Sequence, residues 1–362
     1  MVVIKKSGNL HSVLSSADPE VTDRGVLKSA IQKAYRRNDA ILFNWVFEKL
    51  WAVESSWVFW RAPILPAEEN WQGMLDIGRT QYELQQKYPG KELLMTAPDT
   101  KPNVKASLLR LMKTAKDKDG DGLRIVGLYW HRNRTRWEKP ILNSLRDEAD
   151  LKLVMMAAEL EAQTEGMKFL PRQVWAPIWD MVGEFEEKLS EQEYLDLRQA
   201  VGSCYFRAKK GGMMGDQTML YCTALVLMDS VARFGGLLPP MPSNQMKLED
   251  SMGVVPVQVP NRVPWYAADM HTVPGKKVLG WTAKSHGWDK RKLTEAWFLF
   301  ESGVVNEVAP TQMWWGLNEK LGAVYFGHDT VEEFQDWWVT KAGPIVKARV
   351  RYLLQEAGIT IA

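Results

Sequence analysis

The residues best suited to bind a ligand lie in one basic and aromatic window, residues 124–139. Four arginines and one lysine stand there against one glutamate, in a chain whose formal net charge is +2. Arginine guanidinium groups pair well with phosphates, and aromatic rings stack on bases without regard to sequence. The window therefore predicts contact with nucleic acid through Arg124, Tyr129, Trp130, Arg132, Arg134, Arg136 and Trp137.

The spacing of three of these arginines suggests how the window is built. Arg132, Arg134 and Arg136 alternate with other residues, so an extended segment would place their guanidinium groups on one side. The alternative is a solvated arginine face whose aromatic rings turn into the core.

A second basic stretch, Arg207, Lys209 and Lys210, precedes glycines at positions 211 and 212. Backbone N–H groups of Gly-rich turns bind anions, which predicts a loop that contacts phosphates. The alternative is a mobile connection between two helices.

A third basic region begins at Lys276 and Lys277 and lies beside Trp281 and Trp288. Its other cations are Lys284, Lys290, Arg291 and Lys292. Two of the three basic regions would be enough to form a groove for a single strand.

No catalytic residue, metal site or cofactor is predicted. Residues 117–122 resemble the start of a calcium-binding loop, but Leu128 occupies the position of the bidentate glutamate. Asp269 and His271 lack a third partner and a nucleophile at a recognisable spacing. Cys204 and Cys222 have no histidine at zinc-ligand spacing. We therefore expect a protein that is not an enzyme.

Composition is that of a folded globular chain. The 362 residues are 46% hydrophobic and 25% charged, and 17 of them are tryptophan. Two cysteines are too few for a disulfide framework, which favours a reducing compartment such as the cytoplasm. The N-terminus has no apolar signal segment, and no window of 18 apolar residues suggests a membrane span.

Hydrophobic periodicity predicts helices almost throughout, organised around a helix pair between Leu27 and Asn70. Ser190 with Glu193 and Thr330 with Glu333 match the capping box that begins a helix. Strands with period-two alternation are nearly absent, so we predict an all-α fold with little or no β structure.

Changes in composition and the positions of helix-breaking Pro and Gly residues divide the chain into five segments. They are an N-terminal arm at 1–24, a helical domain at 25–140 with the basic window, a helical segment at 141–236, a Pro-rich connector at 237–264, and a helical segment at 265–362 that packs on the rest.

Several blocks, in this order, resemble the C-terminal helical region of the MgsA/RarA replication-associated AAA+ ATPases of the clamp-loader group. The blocks are residues 30–39, 45–50, Arg61 with Glu68 and Glu69, 97–109, 264–276 and 297–303. Residues 120–260 have no counterpart. The chain also lacks the G-x-x-x-x-G-K-[ST] loop that cradles phosphates, so ATP hydrolysis by the family's mechanism is not expected.

What the resemblance implies is a clamp-loader-collar-like helical domain with an additional helical insertion, which self-associates into a homo-oligomer at sites of DNA replication. Together with the basic window, it favours a non-enzymatic protein that binds single-stranded DNA, or RNA, in replication, repair or transcription. Such a protein, if phage-encoded, would act in the host cytoplasm and recruit a polymerase to opened DNA. The alternative is an oligomeric scaffold or accessory factor at replication forks that does not bind nucleic acid.

Overall fold

The computed structural model describes residues 24–114, 116–210, 214–235, 265–302 and 320–356. Of these described residues 82% are helical and none forms a strand. This confirms the predicted all-α class, whereas the collar-like arrangement stays a prediction. The predicted arm at 1–24, except Arg24, and the connector at 237–264 lie outside the described residues.

The described residues divide into two compact units. The first consists of the described parts of Met1–Val58, Val254–Ala309 and Gly322–Ala362, and the second of those of Phe59–Gly253 and Pro310–Leu321. The chain passes from one unit to the other within a long helix, Ala40–Arg61, which is kinked at Glu54.

The first unit is assembled from segments far apart in sequence. Its helices include α1 (Arg24–Arg36), the N-terminal part of α2 (Ala40–Arg61), α13 (Val273–His286), α14 (Lys290–Trp297), α15 (Val331–Trp337) and α16 (Gly343–Glu356). A 3-10 turn, Trp265–Ala268, packs on α1, and α13 packs against α14 and α16. Two π-helical turns, Phe298–Ser302 and Trp338–Ala342, continue α14 and lead into α16.

The second unit contains the helices between α2 and the end of α12. They are α3 (Ile64–Glu69), α4 (Trp71–Lys87), α5 (Lys91–Thr96), α6 (Thr100–Leu111), α7 (Asp119–Arg132), α8 (Arg134–Leu142), α9 (Glu148–Thr164), α10 (Ala176–Gly183), α11 (Glu191–Lys210) and α12 (Met214–Phe234). The predicted capping boxes are confirmed, because Glu193 N donates to Ser190 Oγ at 3.4 Å and Glu333 N donates to Thr330 Oγ1 at 3.1 Å.

Helices α7 and α9 form a close contact of the second unit at Gly127. A Cβ atom on Gly127 would lie 2.6 Å from the Cβ of Ala157 and 2.9 Å from its carbonyl carbon. Only a residue without a side chain lets the two backbones approach this closely. The contact fixes α7, and with it the position of the basic window.

Among the residues that the structure describes, no helix combines the length and the apolar character needed to cross a membrane.

We predict that Gly127→Ala destabilises the second unit by about 1–3 kcal/mol, because the added methyl group forces α7 and α9 apart. Urea unfolding followed by circular dichroism measures the loss. The matched control is Gly183→Ala in α10, where an added Cβ meets no atom within 4 Å. Helix propensity predicts that this control is neutral or slightly stabilising. Equal stability of the two variants would contradict the close packing at Gly127.

Candidate nucleic-acid interface

The basic window is helical, so the prediction of an extended segment was wrong. Helix α7 ends at Arg132 and α8 begins at Arg134. Asn133 separates them and caps α8 through its side chain, which accepts from Arg136 N at 3.3 Å. Asn is a favoured N-cap residue, and its local hydrogen bond competes with extended structure.

The aromatic rings of the window lie in the core, as the alternative interpretation predicted. Trp137 is 1% exposed, and Tyr129 and Trp130 are also buried. Tyr129 and Trp137 stack on each other with ring centroids 5.2 Å apart. These rings are therefore occupied by protein and offer no free face to a base.

The cations of the window are still at the surface. Arg132, Arg134 and Arg136 are exposed, whereas Arg124 is partly buried. Arg134 pairs with Glu138 at 2.8 Å, and its guanidinium also lies over Trp130. We call Arg132, Arg134 and Arg136 the arginine ridge; it offers charge without exposed stacking rings.

Arg207, Lys209 and Lys210 lie in the last turn of α11 rather than in a loop. Arg207 is buried, so the prediction that it contacts phosphates at the surface was wrong. Lys209 is exposed, whereas the side chain of Lys210 and residues 211–213 lie outside the described part of the chain. The prediction that the glycines after Lys210 form a phosphate-binding loop therefore falls outside the described residues.

Lys276 and Lys277 are exposed in the first two turns of α13. Lys277, Trp281 and Lys284 follow at i, i+4 and i+7 and so share one helix face. Trp281 is 43% exposed, and α13 contains no carboxylate. This face brings cations and an open aromatic ring together.

Helix α16 adds an arginine and a second exposed ring beside Trp281. The Arg349 guanidinium lies 4.5 Å from the centroid of Trp281 and 4.9 Å from that of Tyr352, which is 46% exposed. We call Lys277, Trp281, Lys284, Arg349 and Tyr352 the Trp281 surface.

Sequence reasoning missed Arg349 and Tyr352. The available signal was the composition of the last helix, which carries Lys347, Arg349 and Arg351 against one glutamate at its final residue. Nothing in the sequence reveals which helix α16 packs on.

A buried ion pair positions the start of α13. Lys33 Nζ in α1 lies 2.5 Å from Asp269 Oδ2, and both side chains are almost completely buried. Burial would raise the pKa of Asp269, but the Lys33 ammonium and the hydrogen bonds that the carboxylate accepts hold that pKa low, at about 2. Burial lowers the pKa of Lys33, and the neighbouring Asp269 carboxylate opposes that shift. The Asp269 carboxylate is therefore ionised at neutral pH and is the group that favours the charged form of Lys33.

The backbone of Asp269 holds the first turn of α13. Thr272 Oγ1 donates to Asp269 O at 2.7 Å and accepts from Gly275 N at 3.2 Å, which caps the helix. A Cβ atom on Gly275 would lie 1.7 Å from Asp269 O, so only glycine fits there. Lys276 and Lys277 follow directly, and the cap fixes where they emerge.

The groups considered for catalysis or metal binding have structural partners. Asp269 is paired with Lys33, and the exposed His271 ring lies 3.9 Å from it. In the acidic turn, Lys118 is buried and pairs with Glu69 at 2.8 Å, while Asp119 begins α7. Within the described ranges, no three His, Cys, Asp or Glu side chains are grouped to hold a metal ion.

No family model, curated protein or solved structure matches the chain. The resemblance to the MgsA/RarA region stays a prediction, and the surface chemistry carries the functional argument.

We predict that Asp269→Asn lowers the free energy of unfolding of the first unit by about 3–5 kcal/mol, because it leaves the Lys33 ammonium buried without a counterion. Thermal unfolding followed by circular dichroism measures the loss. The control is the double variant Lys33→Met/Asp269→Leu, which removes both charges and recovers much of the stability. A double variant as unstable as Asp269→Asn would contradict the ion-pair explanation.

We also predict a specific acid sensitivity. The folded-state pKa of Asp269, about 2, lies below its unfolded value near 4. A depressed carboxylate pKa contributes stability that is complete above the unfolded value and is lost as pH falls toward the folded value. The stability difference between the wild type and Asp269→Asn should therefore shrink between about pH 4 and pH 2. A stability difference between the two proteins that stays constant from about pH 4 to pH 2 would contradict the low pKa of Asp269.

Proposed function

We propose that this protein binds single-stranded nucleic acid, with single-stranded DNA as the expected form, through the Trp281 surface, and that it does so without catalysis. The observation that carries the proposal is the Arg349 guanidinium that lies over two exposed rings, Trp281 and Tyr352, beside a helix face that carries Lys277 and Lys284.

The chemistry of the surface fits a single strand. Exposed rings and a guanidinium plane stack on unpaired bases, which have their faces free, whereas the bases of a duplex are stacked on one another. The flanking Lys277 and Lys284 contact phosphates as point charges. Binding is then strongly dependent on salt, because each neutralised phosphate releases counterions.

The arginine ridge has a different role in this proposal. It supplies exposed guanidinium groups in the second unit, but its neighbouring rings are buried. We expect it to add electrostatic, sequence-independent attraction to the phosphate backbone and no stacking.

The cellular setting of the proposal rests on the resemblance stated above. We propose that the protein acts in replication, repair or transcription, self-associates and recruits a polymerase. The low cysteine count favours the cytoplasm, that of the host if the protein is phage-encoded.

The alternative, an oligomeric scaffold without nucleic-acid binding, draws on a different observation. Phe169 is 61% exposed, and Met167 beside it is exposed as well. Exposed apolar side chains anchor protein interfaces. A sizing column separates the two functions, since a scaffold complex persists after nuclease treatment.

We predict that Trp281→Ala and Arg349→Ala each weaken binding of fluorescently labelled oligo-dT by about 5- to 150-fold, which corresponds to the loss of one stacked base. The double variant Lys277→Gln/Lys284→Gln should weaken binding less at high salt than at low salt. The slope of log affinity against log salt concentration should fall by the amount expected for the loss of about two phosphate contacts. Fluorescence anisotropy at several salt concentrations measures both effects.

Two controls accompany these variants. Lys168→Gln removes an exposed cation of the second unit and should leave affinity unchanged. Arg132→Ala/Arg134→Ala/Arg136→Ala should reduce the salt dependence without altering tryptophan quenching by the oligonucleotide. Full affinity in both Trp281→Ala and Arg349→Ala would remove the Trp281 surface from the binding site, and wild-type protein that binds no oligonucleotide would favour the scaffold.

A further inference from the structure

The Trp281 surface continues into a second aromatic group in the first unit. The His286 ring lies 6.4 Å from Trp281 and stacks on Trp288 at 4.8 Å, and Trp288 lies 5.5 Å from Trp337, all measured between ring centroids. Lys292 Nζ is 4.2 Å from the centroid of Trp337. We call His286, Trp288, Lys292 and Trp337 the Trp288 cluster.

Local structure builds the junction between the two groups. Gly287 ends α13 with φ of +64°, a left-handed conformation that glycine adopts without strain. Trp288 N then donates to Ala283 O at 3.0 Å, which turns the chain so that Trp288 stacks on His286. Asp289 caps α14 by accepting from Arg291 N and Lys292 N.

One side of the Trp288 cluster packs on the core, and the rest of it is at least partly exposed. The buried Phe334 ring stacks on Trp337 with an interplanar angle of 12° and centroids 6.0 Å apart. Trp288 and Trp337 are half-buried, and His286 is exposed. The rings are thus held in place by the core while their outer parts remain accessible to a ligand.

We propose that a bound single strand runs from the Trp281 surface over His286 onto the Trp288 cluster, so that the site takes several consecutive nucleotides. This inference rests on the proposed function. His286 and Trp288 cover one face of each other and so form one stacking platform, which lies beside the Trp281 ring at 6.4 Å. Two consecutive bases can then stack on separate platforms, and Lys284 and Lys292 supply cations for the phosphates.

The path also explains why a single strand is favoured over a duplex. Consecutive bases can occupy separate rings only if they leave their own stack, which an unpaired strand does at low cost and a duplex does not. A site with one ring would discriminate less, because a frayed duplex end can stack on it.

The test is the dependence of affinity on oligonucleotide length. Anisotropy titrations with oligo-dT from two to twenty nucleotides compare the wild type with His286→Ala/Lys292→Gln, and Lys168→Gln serves as the control. Both substituted side chains lie at the edge of the cluster, and neither is fully buried. We expect the double variant to bind the shortest oligomers as the wild type does and to lose about 5- to 150-fold on the longest.

Photocrosslinking locates the strand without a substitution. Oligo-dT containing iodouracil, irradiated on wild-type protein, should crosslink to peptides on both sides of Lys284. Trypsin cleaves after this lysine and so separates Trp281 from Trp288. Crosslinks on both peptides, with a length-dependent loss in the double variant, support the path.

The outcomes separate this inference from the proposed function. If oligo-dT of every length fails to bind, the proposed function itself is contradicted. If Trp281→Ala weakens binding but His286→Ala/Lys292→Gln has the same affinity as the wild type at every length, and crosslinks stop at Trp281, the binding function stands and the extended path is overturned.

Discussion

The ion pair between Lys33 and Asp269 is the interaction on which the candidate site depends. It joins α1, near the start of the described chain, to the segment that begins α13, more than two hundred residues later. Removing two charges from water is costly, and only mutual pairing offsets that cost. Since the backbone of Asp269 also caps α13 through Thr272, the register of the exposed lysines and of Trp281 is tied to this buried contact.

The two basic regions differ in what happens to their aromatic residues. In the window at residues 124–139, Trp137 and its neighbours fill the core of the second unit, and the arginines are left as a charged face. On α13 the buried positions are taken by small and aliphatic residues such as Val278 and Leu279, so Trp281 has no place inside. A base needs a ring that the protein has not already covered, which favours the second region.

Sequence patterns predicted the helical class and the capping boxes because these depend on local spacing and local hydrogen bonds. The same reasoning failed at Arg132, Arg134 and Arg136, since period-two spacing over five residues also fits two helices broken at Asn133. It singled out Lys277 and Trp281 from composition, and the structure places both on the exposed face of α13. It could not find Arg349 and Tyr352, because their relation to Trp281 arises only when α16 packs on α13.

The composition of the Trp281 surface bears on what it can read in a strand. The planar side chains that form paired hydrogen bonds with a base edge are those of Asn, Gln and Arg. Of these, the Trp281 surface contains only Arg349. The Arg349 guanidinium lies over two rings, Trp281 and Tyr352, and is therefore already engaged by aromatic side chains of the protein. In the proposed function, a surface made of rings, one guanidinium held by those rings and lysines would recognise the features that all unpaired strands share, and its binding would be tolerant of sequence.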